Sequence, residues 1–114
     1  MSTILVGNVE KDHFEKQPSE KMNVTVDFAE DLGSSGNVTA YSVHAIDDSG
    51  VSVDATILSG YHEQDGIVTF GVQSGENGKI YTITSKVTSD QTLPDNVTGE
   101  MFEADIFMRV SEKK

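Results

Sequence analysis

Apolar and polar residues alternate with a period of two along most of the chain. Every second residue is apolar, with mostly polar residues between, in segments 22–28, 41–45, 51–57, 68–72 and 102–110, and also in 81–87 except at Ser85. Successive side chains of a β-strand point to opposite faces of the sheet, so this alternation is typical of strands with one buried and one solvated face. It predicts a strand in each of these segments.

Turn-forming residues separate the predicted strands. Gly, Asp, Ser, Asn and Pro concentrate in segments 33–36, 48–50, 65–66, 74–78 and 94–96, and we find no helical period of useful length. Segment 3–9 is also strand-like. The sequence therefore predicts an all-β fold, an antiparallel immunoglobulin-like β-sandwich of about seven strands with an extended N-terminal arm.

The N-terminal region differs from the rest of the chain. Segment 9–22 is half charged and contains Pro18, so we interpret it as a solvated arm with at most a turn of helix. We expect an N-terminal strand and charged arm at 1–21, a β-sandwich domain at 22–110 and a polar tail at 111–114. The first strand can pair with its own sheet edge or with that of a neighbouring subunit.

The charge balance bears on the class of partner. The chain has 114 residues, with 8 basic against 19 acidic residues and a net charge of −11. Nucleic-acid binding depends on neutralising phosphates with Lys and Arg, so we expect no nucleic-acid partner and, for the same reason, no anionic membrane partner. The chain has no cysteine. Its N-terminus lacks the basic and long apolar regions of a signal peptide.

A glycine-rich turn ending in Gly78-Lys79 invites comparison with a phosphate-binding loop. That loop needs Gly, four residues, Gly-Lys-Ser/Thr and then a helix. Here Gln73 holds the first position, Ile80 follows the lysine, and the next segment has β character. We therefore interpret the turn as a sheet corner in which Gly75 and Gly78 adopt positive φ.

Other candidate chemistry is weaker. The acidic turns at 45–50 and 62–66 offer oxygen ligands for calcium but lack the EF-hand pattern, and Asp and Gly are common in β-turns without any ion. His13, His44 and His62 lie on different segments without zinc spacing, and His44 is expected to face solvent. No nucleophile-elbow motif is present. We predict that the protein is not an enzyme and has no catalytic, cofactor-binding or metal-binding residues.

Three residues are candidates for a partner surface. Phe107 and Met101 lie on the face of the last strand opposite its buried side chains, and Tyr61 lies outside the buried pattern. Exposed large apolar groups can mark a binding surface. Alternatively, both faces of the last strand are partly covered. Tyr41 and Tyr81 fall on buried faces, which leaves few aromatic groups for a sugar-binding site.

Two short motifs carry a family resemblance. Lys16 and Pro18 form a Lys-x-Pro that precedes an alternating strand ending in Asp27-Phe28. This resembles small structural proteins of tailed bacteriophages, in which Lys-x-Pro precedes a strand ending in Asp-Trp.

The second half of the chain continues the resemblance. In those proteins a glycine-rich corner leads into a Tyr-x-(Ile/Val)-Thr strand, and here Gly78 leads into Tyr81, Ile83 and Thr84. In those proteins the last strand ends in Arg-Val, and here it ends in Arg109-Val110. The resemblance covers roughly residues 15–110.

The resemblance implies a non-enzymatic virion protein, most simply a tail or neck component that joins fibres to the tail. Such a protein assembles in the host cytoplasm and binds other virion proteins of the tail, neck, fibre or capsid as a symmetric multimer. Two alternatives stay open: a capsid decoration or cement protein, and an immunoglobulin-like binding module of a bacterial surface protein.

Overall fold

The computed structural model describes residues 3–7, 9–29, 37–90 and 101–112, which form nine strands and one short helix. The elements are β1 (Thr3–Val6), β2 (Val9–Glu10), β3 (His13–Lys16), β4 (Met22–Asp27), β5 (Val38–Ile46), α1 (Asp54–Ile57), β6 (Leu58–Gln64), β7 (Ile67–Val72), β8 (Ile80–Ser89) and β9 (Met101–Val110). The prediction of an all-β fold is confirmed. The turns predicted at 33–36 and 94–96 lie outside the described residues.

The strands form two sheets. One has the order β2-β1-β4-β7-β6 and the other the order β3-β9-β8-β5. Neighbouring strands are antiparallel except for β3 and β9, which are parallel. The described residues contain more strands than the seven or so predicted, because the N-terminal region adds β2 and β3. The alternation also did not predict β6, which follows the segment where a strand was expected at 51–57.

Inward side chains of both sheets form one apolar core. Buried and more exposed residues alternate along β8 and β9, as the sequence pattern predicts. The largest fully buried side chains are Phe28, Phe70, Ile57, Ile83, Ile106 and Met108. Each contributes roughly 1.5–3 kcal/mol by leaving water, so the core is the main source of stability.

The interpretation of segment 9–22 as a solvated arm was wrong for β3. This strand pairs with β9, and both Phe14 and Lys16 are buried. Segment 3–6 pairs with β4, which is the first of the two alternatives considered for it. As a division into domains, the boundaries after residues 21 and 110 stay predictions.

The buried Lys16 explains its spacing from Pro18. The ammonium group donates hydrogen bonds to the carbonyl oxygens of Gln17 at 2.7 Å and Pro18 at 3.4 Å. Burial lowers the pKa of Lys16, while the nearby carboxylate of Glu20 acts in the opposite direction. The buried ammonium group thus stabilises the turn between β3 and β4 by binding its carbonyl oxygens.

The strand predicted at 51–57 was also wrong, because this segment contains α1. The Asp54 carboxylate accepts a hydrogen bond from the Ala45 N–H at 2.6 Å, and the Val53 N–H donates to the Ala45 carbonyl at 2.9 Å. These bonds hold the segment against β5. Val53 and Ile57 are four residues apart and share a helix face as well as a strand phase, so the alternation fits both structures.

The glycine-rich corner between β7 and β8 is structural, as predicted. Gly75 and Gly78 have φ angles of 99° and 89°. A Cβ atom on Gly75 would lie only 2.6 Å from Cγ2 of Val110, whereas one on Gly78 would meet nothing within 4 Å. The Tyr81 hydroxyl accepts a hydrogen bond from the Glu76 N–H at 2.9 Å. A strand follows the corner rather than a phosphate-binding helix.

We expect Gly75→Ala to destabilise the protein more than Gly78→Ala. Both substitutions force an L residue into a positive-φ conformation, at about 1–3 kcal/mol. Only Gly75→Ala also crowds Val110, which adds roughly 1–3 kcal/mol for overpacking. Urea unfolding of both variants measures the difference. Equal losses would show that close packing at Gly75 contributes nothing.

Candidate interaction surface

The outward face of the β3-β9-β8-β5 sheet carries two exposed apolar side chains close together. Phe107 of β9 is 44% exposed and Ile80 of β8 is 48% exposed. Phe107 lies opposite Thr82, and Ile80 lies opposite Arg109, so the two side chains are diagonal neighbours. Diagonal neighbours on one face of a sheet are within reach of an aromatic ring. They form a single apolar spot.

A shallow depression of about 460 Å³ surrounds this spot, and we call it the Phe107 depression. It is lined by Lys11, His13, Phe14, Glu15, Ile80, Phe107 and Arg109. Parallel pairing of β3 with β9 builds it, because His13 lies beside Phe107 and Glu15 beside Arg109. The depression therefore combines apolar groups with a charged rim.

The rim charges are loosely held. Arg109 Nη1 lies 4.0 Å from Glu15 Oε1, and both side chains are at least half exposed. Such a surface ion pair contributes about 0–1 kcal/mol, so the guanidinium can exchange it for another acceptor. His13 Nδ1 is 3.0 Å from Asp12 Oδ1, and this hydrogen bond lowers the pKa of Asp12.

The predicted surface residue Met101 is exposed, as expected, but it lies apart from Phe107. Met101 is 56% exposed and lies on the same face of β9. Six residues along a strand span about 20 Å. Acidic residues Glu103 and Asp105 lie between the two, and Asp105 accepts a hydrogen bond from the Thr84 hydroxyl at 2.8 Å. Met101 and Phe107 are therefore separate features.

Tyr61, the third predicted residue, lies on the other sheet. It is exposed on the edge strand β6, and its ring contacts Tyr41 of β5 edge to face, with 6.0 Å between centroids. Tyr41 was predicted to be buried, and this was wrong, because it is 39% exposed. Tyr41 has an inward phase, but β5 and β6 are both edge strands. The side chains of Tyr41 and Tyr61 therefore stay partly open to solvent.

His44 is exposed as predicted and pairs with Asp54. Its Nδ1 lies 2.9 Å from Asp54 Oδ2. Partial burial would raise the pKa of Asp54, but hydrogen bonds from the Ala45 N–H and from His44 outweigh it and lower the pKa. Thr84 lies opposite His44, yet its hydroxyl donates to Asp105. Within the described ranges, the His44–Asp54 pair has no hydrogen-bonded hydroxyl that could serve as a nucleophile.

In the two acidic turns, carboxylates accept hydrogen bonds from backbone N–H groups of the same turn. Asp47 Oδ1 accepts hydrogen bonds from the N–H groups of Val51 and Ser49, and these lower its pKa against the opposing effect of burial. Glu63 Oε2 accepts the Gly66 N–H at 2.9 Å. Among the residues that the structure describes, no group of three or more His, Asp or Glu side chains could hold a metal ion.

Sequence reasoning placed Arg109 on the solvated face of the last strand but did not identify Arg109 or Ile80 as part of a partner surface. Ile80 has the same parity as Thr82 and Thr84, the solvated positions of its strand, so the pattern itself could have identified it. The described part of the chain has no helix that is long and apolar enough to cross a membrane.

Comparison of the chain with protein-family models, with curated proteins and with solved structures gives no match. The resemblance to phage structural proteins therefore stays a prediction.

We expect the contribution of Asp54 to stability to depend on pH. Its lowered pKa means that folding favours the ionised carboxylate. The stabilisation is therefore complete above the unfolded pKa, near 3.9, and is lost as the pH falls through the folded value. Asp54→Ala should cost about 1 kcal/mol at pH 7. Its cost should shrink towards pH 2.5.

Chemical denaturation of wild type and variant at both pH values measures this effect. Asp48→Ala, in the neighbouring exposed turn, is the control and should change the unfolding free energy little. A cost for Asp54→Ala that is the same at both pH values would contradict the role assigned to its charge.

Proposed function

We propose that the protein is a non-enzymatic structural component of a tailed-bacteriophage virion that joins fibres to the tail or neck. The observation that carries the proposal is the Phe107 depression. An acidic, charged surface exposes an aromatic and a branched aliphatic side chain together on a regular sheet face. Exposed apolar groups with a polar rim are typical of protein docking surfaces.

The proposed scaffold is an immunoglobulin-like β-sandwich. The order β1-β4-β7-β6 in one sheet and β9-β8-β5 in the other matches the ABED and CFG sheets of that fold. The Tyr81 hydroxyl, near the start of β8, bonds to the backbone of Glu76 upstream. This resembles the tyrosine corner of immunoglobulin-like domains. Both observations support the finer fold assignment.

The motifs of the resemblance have structural roles that fit the proposal. Lys16 closes the turn before β4, and Gly75 allows the corner before β8 to pack on Val110. These positions maintain the scaffold. The proposed resemblance is therefore one of architecture.

The proposed mechanism is docking by surface complementarity. The apolar spot supplies affinity once it is covered, and the rim charges of Glu15 and Arg109 orient the partner. Symmetric copies in a particle bind together, so avidity multiplies weak single contacts. The proposed partners are other virion proteins, assembled with this chain in the host cytoplasm.

Copy number in purified particles tests the proposal. Quantitative mass spectrometry would compare this protein with the portal and major capsid proteins in particles from the strain that encodes it. The proposal predicts a count comparable to the portal. A count that follows the capsid protein would instead identify a decoration protein, and absence from the particles would reject a virion role.

A second test concerns the docking surface. We expect Phe107→Ser to fold but to enter particles at least ~10-fold less efficiently, because anchoring aromatic groups each contribute about 2 kcal/mol or more to binding. Complementation of a deletion phage measures incorporation, and thermal melting checks the fold. Met101→Ser is the matched control, an exposed apolar group on the same strand. If Met101→Ser were the more damaging change, the docking site would lie elsewhere.

A further inference from the structure

The charged groups that line the Phe107 depression differ in sign from the rest of the molecule. The whole chain has 8 basic and 19 acidic residues and a net charge of −11. In the lining of the depression, the two positive charges of Lys11 and Arg109 stand against the one negative charge of Glu15. A strongly acidic protein therefore surrounds its apolar spot with more positive than negative charge.

One of these cations is not used by the fold. Two other lysines of the chain have partners: Lys16 is buried and donates to the carbonyl oxygens of its turn, and Lys79 Nζ lies 3.4 Å from Glu76 Oε2. Lys11, by contrast, forms no ion pair with any residue in the described ranges. Its ammonium group is therefore open to a partner's carboxylate.

The other cation, Arg109, has unfilled hydrogen-bonding capacity. A guanidinium group carries five N–H donors. Its nearest approach to Glu15 is 4.0 Å between Nη1 and Oε1, which is too long for a hydrogen bond. A carboxylate that comes within about 2.7–2.9 Å can bind two of the donors at once. A partner's carboxylate can therefore displace Glu15 from Arg109.

Two further carboxylates lie near the depression, and each already has a hydrogen-bond partner. Asp12 Oδ1 lies 3.0 Å from Nδ1 of His13. Asp105, farther along the same face of β9, accepts a hydrogen bond from the Thr84 hydroxyl at 2.8 Å. Both groups repel an incoming carboxylate, so they confine it to the two cations. The charge pattern thus selects where on the face an acidic group can bind.

The two cations come from opposite ends of the β3–β9 pair. These strands are parallel, and His13 lies beside Phe107. Lys11 precedes His13 by two residues, whereas Arg109 follows Phe107 by two residues, about 7 Å along the strand. An extended segment places every second side chain on one face at the same spacing. Such a segment can set an apolar side chain on Phe107 with a carboxylate two residues away on either side.

We propose that the Phe107 depression binds an acidic segment of the partner protein, in which Asp or Glu flanks a central apolar residue at a distance of two residues on either side. The apolar side chain covers Phe107 and Ile80, and the carboxylates bind Arg109 and Lys11. This inference rests on the proposed function, because it names the chemistry of the partner at that docking surface.

Other acidic occupants fit the depression less well. A nucleic acid needs many cations along its phosphates, whereas the lining supplies two, and the rest of the chain repels it. A second copy of this chain brings another net charge of −11. A protein segment with isolated carboxylates around an apolar side chain matches both the number of cations and the apolar spot.

Peptide arrays test this chemistry without virus particles. Immobilised extended peptides would share a central Leu and carry Glu, Gln or Lys two residues away on either side. The labelled full chain should bind the Glu peptides at least ~10-fold more strongly than the Gln peptides. Phe107→Ser should abolish this binding. Equal binding of Glu and Gln peptides, stronger binding of Lys peptides, or no binding would overturn the proposal.

Charge-matched variants locate the binding site on the sheet face. Arg109→Gln should weaken binding of the Glu peptides about 5-fold, and Lys86→Gln, two residue pairs from Phe107, should change it little. Glu15→Gln should strengthen binding by a similar factor, whereas Glu103→Gln should have a smaller effect. Thermal melting checks that all variants fold. Equal effects within either matched pair would reject the depression as the site.

Two further measurements identify the wrong occupants. An oligothymidylate that displaces the chain from the Glu peptides at a lower concentration than free Glu peptide does would identify a polyanion site and rule out the proposal. Self-association in sedimentation velocity that Phe107→Ser abolishes would identify a second copy as the occupant, with the same consequence.

The array and the particle count can fail separately. A chain that is absent from particles but selects Glu peptides would lose its virion role and keep this binding chemistry. A chain present in numbers comparable to the portal that does not select Glu peptides would keep the role, and the inference about its partner would be wrong.

Discussion

The antiparallel pairing of β8 with β9 is the constraint on which the rest of the structure depends. Each strand has ten residues, and their register runs from Ile80 opposite Arg109 to Thr88 opposite Met101. The corner before β8 fixes this register through two hydrogen bonds. The Gly78 N–H donates to the Val110 carbonyl oxygen, and the Val110 N–H donates to the Lys79 carbonyl oxygen. A slip of one residue would exchange the faces and place Phe107 in the core.

Charged groups and apolar groups occupy different parts of the molecular surface. Acidic turns are tied up in local hydrogen bonds, as at Asp47 and Glu63, and they keep the surface soluble. Apolar groups reach solvent on the face near Phe107 and at the edge near Tyr41. In our proposal the face near Phe107 binds a different protein.

Alternation along the sequence was enough to predict which faces of β8 and β9 are buried, and it left the exposure of Phe107 and Met101 as one of two alternatives. It failed at 51–57, because the spacing of Val53 and Ile57 fits a helix and a strand equally well. It also failed at Tyr41, since phase alone does not show whether a strand lies at an edge. The Phe107 depression could not be predicted, because the pairing of β3 with β9 joins residues that are far apart in sequence.

That parallel pairing also sets the order in which the molecule can mature. β3 is made early, yet Phe14 and Lys16 can be buried only after β9, which begins at Met101, has left the ribosome. Until then the N-terminal segment presents an uncovered aromatic ring and unpaired backbone groups. Contacts between residues so far apart in sequence form slowly, and the intermediates that precede them expose hydrophobic surface and are prone to aggregate. The nascent chain therefore exposes this aromatic ring and these backbone groups until β9 has been made.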